Sequence, residues 1–132
     1  MPEPLTILII EDSALSRTAL RDDLAGRGFK VLTAENGKEG LNLIQSKRPD
    51  VVLMDVVMPI MDGWETCHQV RAAAELREIP IIITTTKNTS QDMLRAFEVG
   101  ANQFMEKPLD VNLLVKEIHG LAARRLDGAP ER

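Results

Sequence analysis

The sequence predicts an α/β domain built on a doubly wound, five-stranded parallel sheet with five helices on its two faces. Five short apolar runs alternate along the chain with five segments of helical period, which is the order that β-α-β crossovers produce. Apolar runs of this kind are expected for strands that are buried on both faces. The length of 132 residues suits a single core of ordinary size.

The predicted strands coincide with the five apolar runs. They cover residues 5–10, 30–34, 50–54, 80–84 and 102–105. Right-handed crossovers and helices on both faces leave few possible topologies. Ligands of such open sheets bind beyond the carboxyl ends of the strands, so functional residues are expected at that edge.

The predicted helices are bounded by capping residues and glycines. Ser13 is expected to cap the first helix, which ends at Gly26 and Gly28, and Asp110 is expected to cap the fifth. The other predicted helices cover residues 37–46, 64–78 and 90–99, and the fifth covers 111–125. The buried stripes of the first and fifth helices are expected to contain Leu15, Leu20 and Leu24 in the first, and Leu113, Leu114, Ile118 and Leu121 in the fifth.

Composition and charge argue against several classes of function. Sixteen Lys and Arg against twenty Asp and Glu give a net charge of −4, which offers no general attraction for nucleic acid or an anionic membrane. The first residues, MPEPLT, lack a positively charged signal segment, and no apolar run approaches the roughly 20 residues that span a bilayer. A cytoplasmic protein without direct contact to nucleic acid or membrane is therefore expected.

The single cysteine and the end of the chain add two further expectations. Cys67 cannot form an internal disulfide or a metal knuckle and is interpreted as a buried helix thiol. The domain is expected to span residues 1–122. Residues 123–132, which contain LDGAPER, are interpreted as a C-terminal tail or the start of a linker.

Acidic, hydroxyl and amine side chains follow four of the predicted strands. Glu11 and Asp12 come after the first strand, Asp55 after the third, Thr85 after the fourth and Lys107 after the fifth. Three carboxylates that lie close together repel one another, so they either take up protons or surround a cation. Oxygen ligands without His or Cys select a hard cation. Mg²⁺ is favoured over Ca²⁺ because it needs only one or two protein carboxylates beside water and phosphate oxygens.

Lys107 indicates an anionic group at the same site, because an ammonium adds little to metal affinity but neutralises an incoming dianion. Carboxylates are covalent acceptors of phosphoryl groups, and such transfer needs mainly positioning and neutralisation of charge. We therefore predict that Asp55 accepts a phosphoryl group. The backbone carbonyl of Val57, in the loop that follows Asp55, is free to reach the metal.

Each of these residues also has a structural interpretation when it is taken alone. Glu11 and Asp12 could be loop acids that are favoured by the dipole of the following helix. Thr85 could be a strand-end residue or a helix cap, and Lys107 could be a solvated charge. Their joint position at one sheet edge favours the functional interpretation.

Four stretches of the sequence are similar to a known family. ILIIEDS, LMDVVMPIMDG, PIIITTT and GANQFMEKP together resemble the receiver domain of two-component response regulators, of the single-domain chemotaxis (CheY-like) type. The resemblance covers about residues 6–121. It implies a flavodoxin-like fold with strand order 2-1-3-4-5. It also implies a signalling switch that catalyses only its own phosphorylation and dephosphorylation.

The resemblance further implies how the site binds its ligands. Asp55 would accept a phosphoryl group from a histidine kinase or phosphotransfer protein. Asp12, Asp55 and the carbonyl of Val57 would bind Mg²⁺, and Glu11 would assist through water. Thr85 and Lys107, a catalytic pair beside Asp55, would contact the phosphoryl oxygens. The peptide bond between Lys107 and the proline that follows would be cis.

Phosphorylation would then alter a binding face, with Thr85 and Phe104 as switch residues. The added charge of about −1.5 to −2 would reshape the face made by the fourth helix, fifth strand and fifth helix. Met93 and Phe97 are neighbours on the fourth helix and, with Phe104, are predicted to bind an unknown downstream protein, although Phe97 could instead be a core residue. A monomer or weak dimer is expected.

Three other classes of protein remain as alternatives at this stage. A flavodoxin-like electron carrier would share the fold, but Glu11 and Asp12 would repel its flavin phosphate. A haloacid-dehalogenase-type phosphatase uses a strand-end aspartate with a second one two residues later, where this chain has Val57. A purely structural α/β module would bind no Mg²⁺.

Overall fold

The five-stranded sheet is parallel throughout, and its strands lie in the order β2-β1-β3-β4-β5. The computed structural model of the protein describes residues 4–86 and 90–126. The strands are β1 Thr6–Ile10, β2 Lys30–Ala34, β3 Val51–Asp55, β4 Ile81–Thr85 and β5 Gln103–Glu106. The helices are α1 Ala14–Gly26, α2 Gly37–Lys47, α3 Gly63–Ala72, α4 Ser90–Glu98 and α5 Val111–Leu126. The predicted doubly wound fold and its strand order are confirmed.

The core consists of two layers, one on each face of the sheet. Alternate residues of a strand point to opposite faces, so Leu8 and Ile10 of β1 pack in the layer that contains α3 residues such as Val70. Ile7 and Ile9 pack in the other layer, with residues of α1 and α5. These four of the five β1 side chains are at most 1 % exposed, which explains why the predicted strands are apolar without alternation.

The third helix is shorter than predicted, because it ends at Ala72 and not at residue 78. Ala73 has an extended backbone (φ −89°, ψ 118°), and a 3₁₀ turn of residues Ala74–Leu76 follows. The break turns Leu76 and Ile79 into the core, where both are at most 1 % exposed. A continuous helix would have carried these side chains past the core and away from the start of β4.

Two of the expected stripe residues lie on the surface instead. Leu15 is 83 % exposed and Leu113 is 47 % exposed, whereas Leu24 and Leu114 are fully buried. At about 100° per residue, Leu15 is rotated roughly 180° from Leu24, and Leu113 roughly 100° from Leu114. Leu15 and Leu113 therefore lie outside the faces of α1 and α5 that pack against the sheet.

The helix caps and the buried thiol agree with the sequence, whereas the last helix runs past the predicted start of the tail. The hydroxyl of Ser13 accepts the N–H of Ser16 at 3.3 Å, and the carboxylate of Asp110 accepts the N–H of Leu113 at 3.2 Å. Cys67 is a buried free thiol. Helix α5 continues to Leu126, into the predicted tail, and residues 127–132 lie outside the described residues. No helix within the described ranges is long and apolar enough to cross a membrane.

Candidate functional site

The carboxyl ends of β1 and β3 bring three carboxylates together. Ile10 of β1 lies opposite Met54 of β3, so the residues that follow, Glu11 and Asp55, reach the sheet edge at the same level. Glu11, Asp12 and Asp55 each offer a carboxylate oxygen, and these oxygens lie within 4.8 Å of one another. The structure thus groups the three acids that the sequence placed at this edge.

Lys107 lies between two of these acids. Its Nζ atom is 2.5 Å from Oε1 of Glu11 and 3.1 Å from Oδ2 of Asp55. The loop after β5 is held in place because the N–H of Lys107 donates to the carbonyl of Thr85 at 2.7 Å. The Lys107–Pro108 peptide bond is cis, as the sequence resemblance implied.

The two carboxylates that contact Lys107 differ in their electrostatics. Burial raises the pKa of Asp55, and the nearby charge of Glu11 adds to this effect, which Lys107 opposes only in part. Burial also acts to raise the pKa of Glu11, but hydrogen bonds from Lys107 and from the Ser13 N–H outweigh it and lower the pKa. Of the two carboxylates that contact Lys107, Asp55 is therefore the one whose negative charge is less compensated.

The ammonium group itself is stabilised in its charged form. Burial acts to lower the pKa of Lys107, but the hydrogen bond to Glu11 and the charge of Asp55 outweigh it and raise the pKa. A permanent positive charge is therefore present beside Asp55 at neutral pH. This charge is suited to an anion that approaches the same carboxylate.

Both carboxylate oxygens of Glu11 accept hydrogen bonds from within the protein. Oε1 accepts from Lys107, and Oε2 accepts the N–H of Ser13 at 3.0 Å. The side chain is buried, while Asp12 is exposed. Asp12 and Asp55 are consequently better placed to contact a cation directly, and Glu11 is suited to an indirect role.

The loop between β3 and α3 fixes the position of Asp55. A backbone hydrogen bond from Val57 reaches the Asp55 carboxylate, and the N–H of Gly63 donates to the carbonyl of Val56 at 2.9 Å. A Cβ atom on Gly63 would lie 2.6 Å from the carbonyl oxygen of Asp55. Only glycine fits where α3 begins, because the helix packs directly against the end of the strand.

The donor set of this edge fits a hard divalent cation. Three carboxylates and the exposed loop backbone at Val57 supply oxygen ligands only, which matches the preference of Mg²⁺. Asp12 and Asp55 would hold the ion, together with the Val57 carbonyl. Lys107 does not compete for it, since an ammonium cannot act as a metal ligand.

The predicted switch residues lie on the two neighbouring strands. Thr85 ends β4 and is 5 % exposed, and the preceding Thr84 lies opposite Asp55 in the sheet register. Phe104 of β5 is half-buried and packs against the core layer that contains Trp64 and Cys67. On α4, Met93 and Phe97 are 43 % and 47 % exposed, so the interpretation of Phe97 as a core residue is wrong.

One residue of the site was missed in the sequence. The guanidinium of Arg17 donates to the backbone carbonyls of Glu11 at 2.8 Å and of Asp12 at 3.3 Å. It therefore holds the turn that carries both acids. The signal was its position four residues after the cap Ser13, which places an Arg on the first turn of α1, facing back towards the loop.

Comparison with known proteins identifies the class. Residues 7–119 match the family model described as the response regulator receiver domain. The chain therefore belongs to the receiver domains of two-component response regulators, a family of phosphorylation-dependent signalling domains.

Particular relatives are also similar over most of the chain. The protein PilH of Pseudomonas aeruginosa is 40 % identical over 117 residues, which cover 89 % of this chain and 97 % of PilH. The chain spans only about half the length of several other curated relatives, for example 55 % and 52 % of two of them.

Two solved structures share the fold closely. The chemotaxis protein CheY4 of Vibrio cholerae superposes with a TM-score of 0.84 at 30 % identity, over 89 % of this chain and 98 % of CheY4. The receiver domain of the sensor histidine kinase PA1611 from P. aeruginosa superposes with a TM-score of 0.84 at 25 % identity, over 91 % and 98 % of the two chains. That receiver domain holds a magnesium ion coordinated in its active-site cleft.

Proposed function

We propose that this protein is a signalling switch in which Asp55 accepts a phosphoryl group from the phosphohistidine of a histidine kinase or phosphotransfer protein. The observation that carries the proposal is the position of Lys107, whose ammonium contacts Asp55 at 3.1 Å and Glu11 at 2.5 Å. An ammonium in this place neutralises the oxygens of a phosphoryl group bound to Asp55.

In the proposed reaction, a carboxylate oxygen of Asp55 forms a bond to phosphorus while the bond between phosphorus and the donor's histidine nitrogen breaks. The imidazole leaves with the electron pair of the broken bond. Lys107 and the hydroxyl of Thr85 contact the transferred phosphoryl oxygens. Asp12, Asp55 and the Val57 carbonyl would hold Mg²⁺, with Glu11 acting through water, and the bound ion would supply further neutralisation of charge. Similarity to the magnesium-bound PA1611 domain supports this ion.

The product acts as a signal and not as an intermediate of turnover. Phosphorylation adds a charge of about −1.5 to −2 beside Thr85, and the response passes through Thr85 and Phe104 to α4. Met93, Phe97 and Phe104 form part of the face that binds a downstream protein. The protein catalyses only its own phosphorylation and dephosphorylation, and works as a monomer or weak dimer in the cytoplasm.

The replacement Asp55→Asn tests the acceptor, because an amide oxygen is a much weaker nucleophile than a carboxylate. We expect the unaltered protein to gain one phosphoryl group from acetyl phosphate with Mg²⁺, and the variant to gain none, in intact-mass spectra. Asp62→Asn serves as a control, since Asp62 is a cap of α3. A gain of one phosphoryl group by the Asp55 variant on the same timescale would show that the acceptor lies elsewhere.

Binding of Mg²⁺ tests the metal site separately. One ion shared by two carboxylates, a carbonyl and waters is expected to bind weakly, in about the millimolar range. Titration calorimetry should detect this binding in the unaltered protein and find it reduced at least severalfold in Asp12→Ala. Unchanged binding in Asp12→Ala would exclude the proposed ligand set.

A further inference from the structure

Helix α4 is packed unevenly along its length. Among its residues Ala96 alone is buried, and Val99, just after the helix, packs partly against the core. In the first half of the helix, Met93 and Leu94 are 43 % and 63 % exposed. The apolar burial that holds this helix on the sheet is therefore concentrated in its carboxyl-terminal half.

One stripe of side chains on α3 contacts the middle of α4 and the two residues that follow the helix. Trp64, Cys67 and Arg71 are spaced three and four residues apart and so share one face of α3. The guanidinium of Arg95 lies 4.8 Å from the centre of the Trp64 ring. The Cys67 thiol donates to the carbonyl of Val99 at 3.3 Å.

The third member of the stripe forms the firmest attachment. Nε of Arg71 donates to the carbonyl of Gly100 at 2.8 Å. Its two terminal nitrogens donate to the carbonyl of Ile79 and to the side-chain oxygen of Asn102, both at 2.8 Å. That oxygen also accepts the N–H of Ile81 at 2.8 Å. One cation thus joins the end of α4 to the starts of β4 and β5.

We infer that α4 is anchored at its carboxyl-terminal end by α3 and opens from its amino-terminal end, with the Arg95–Trp64 stack as the contact that opens. The amino-terminal end begins at Ser90, five positions after Thr85 at the phosphoryl site. A change at Thr85 therefore reaches the least buried part of the helix first. The link to phosphorylation rests on the proposed function, whereas the anchored geometry does not.

Hydrogen exchange of the unphosphorylated protein tests the anchor. The amides of residues 94–96 should exchange faster than those of 99–101, which donate to Arg95, Phe97 and Ala96 at 3.0, 3.1 and 2.9 Å. Arg95→Gln should speed exchange at 94–96 by roughly 2- to 5-fold, the value of a surface cation–π contact, and leave 99–101 unchanged. Arg124→Gln, on the surface of α5, should change neither group.

Removal of the Arg71 anchor should speed amide exchange at the carboxyl-terminal end of α4 instead. Arg71→Met should speed exchange at residues 99–101 by about tenfold or more, because hydrogen bonds to a charged group are lost. If Arg71→Met fails to fold, the difference in exchange rate between residues 94–96 and 99–101, in the unaltered protein and in Arg95→Gln, still tests the inference. Equal exchange rates along α4, or an Arg95→Gln effect at 99–101, would overturn the inference.

Trp64 is the only tryptophan, so its fluorescence reports whether phosphorylation opens the stack. After acetyl phosphate and Mg²⁺, with phosphorylation verified by mass, the emission should change in the unaltered protein and in Arg124→Gln, but not in Arg95→Gln. Constant emission in phosphorylated protein would overturn the link between Asp55 and the stack. Absence of any gain in mass would instead contradict the proposed function. The difference in exchange rate along α4 would still show whether its carboxyl-terminal end is anchored.

Discussion

Lys107 shows how a single residue organises the site. It contacts carboxylates that follow two different strands, and its own backbone is tied to the end of a third. The pKa of Glu11 is lowered, whereas the pKa of Asp55 is raised. Neighbouring acids therefore differ in their readiness to share a proton or react, although the same cation touches both.

Most of these residues could be predicted from the sequence because position alone selects them. Glu11, Asp12, Asp55, Thr85 and Lys107 lie at or just after strand ends, and a parallel sheet places all such residues at one edge. Arg17 is not a strand-end residue, and its only signal is its position four residues after Ser13 on the first turn of α1. That position does not identify its partners, because they are backbone carbonyls whose direction depends on the conformation of the turn.

Cys67 gives a prediction with a defined pH range. Burial raises the pKa of its thiol from 9.0 to about 11. Above pH 9 the unfolded chain loses this proton while the folded chain keeps it, so the free energy of unfolding falls as pH rises to 11. The fall from this group is about 2 to 3 kcal/mol.

The matched variant for this measurement is Cys67→Ala, which lacks the titrating group. Urea unfolding between pH 8 and pH 11 should show a steeper loss of stability for the unaltered protein than for Cys67→Ala. Parallel curves would mean that the thiol ionises in the folded state as readily as in the unfolded one.

At the scale of elements, the loop between β3 and α3 is closely packed against its neighbours. The β3–α3 loop passes so close to its neighbours that Gly37 of α2 would place a Cβ atom 2.4 Å from the carbonyl oxygen of Met61. Asp62 then caps α3 by accepting the N–H of Glu65 at 2.9 Å. The loop is held between a strand end and the start of a helix, which limits its freedom beside Asp55.

Gly63→Ala should therefore damage both stability and the site. The new Cβ atom would lie 2.6 Å from the Asp55 carbonyl oxygen and 2.9 Å from the Val56 Cα, and backbone atoms cannot move aside as a flexible side chain can. We expect a loss of about 1 to 3 kcal/mol in the free energy of unfolding, measured with urea, together with slower phosphorylation of Asp55.

Gly120→Ala is the matched control, because a Cβ atom there meets nothing within 4 Å. Alanine within α5 should stabilise the helix by roughly 0.5 to 1 kcal/mol relative to glycine. If both variants gained stability, the close packing of α3 against the end of β3 would not restrict this position.

The strands were predicted almost to the residue, whereas the third helix was not. Strand positions follow from uninterrupted apolar runs, which are conspicuous in a sheet buried on both faces. The end of α3 at Ala72 follows instead from the need to bury Leu76 and Ile79 below the sheet. Nothing in the sequence of residues 72–78 breaks a helix, so tertiary packing sets that boundary.

At the scale of the whole molecule, the proposed phosphoryl site and the proposed binding face lie on different elements. Asp55 ends β3, while Met93 and Phe97 project from α4 with 43 % and 47 % of their surface exposed. Exposed methionine and aromatic side chains are common at adaptable protein contacts. In the proposed function, communication between the two regions would pass through β4 and β5, which carry Thr85 and Phe104.

Met93→Ser and Phe97→Ser test the binding face. Once a partner has been co-purified with the phosphorylated protein, both variants should phosphorylate normally and bind that partner less tightly. Phosphorylation should change the affinity of the unaltered protein by about 5- to 150-fold, the usual range of coupling between sites. Leu15→Ser is the control, because Leu15 is 83 % exposed on α1, away from α4. Unchanged partner binding by both α4 variants would place the face elsewhere.

The contact between Lys107 and Glu11 joins residues that are 96 positions apart, and this has a consequence for synthesis on the ribosome. The first three strands emerge early and form the centre and one side of the sheet. Glu11, Asp12 and Asp55 are then all present, but the ammonium that offsets their charge has not yet been translated. Until it arrives, mutual repulsion of the three acids acts against pairing of β1 with β3. The charge of these acids is therefore offset by the Lys107 ammonium only after the loop that follows β5 has been translated.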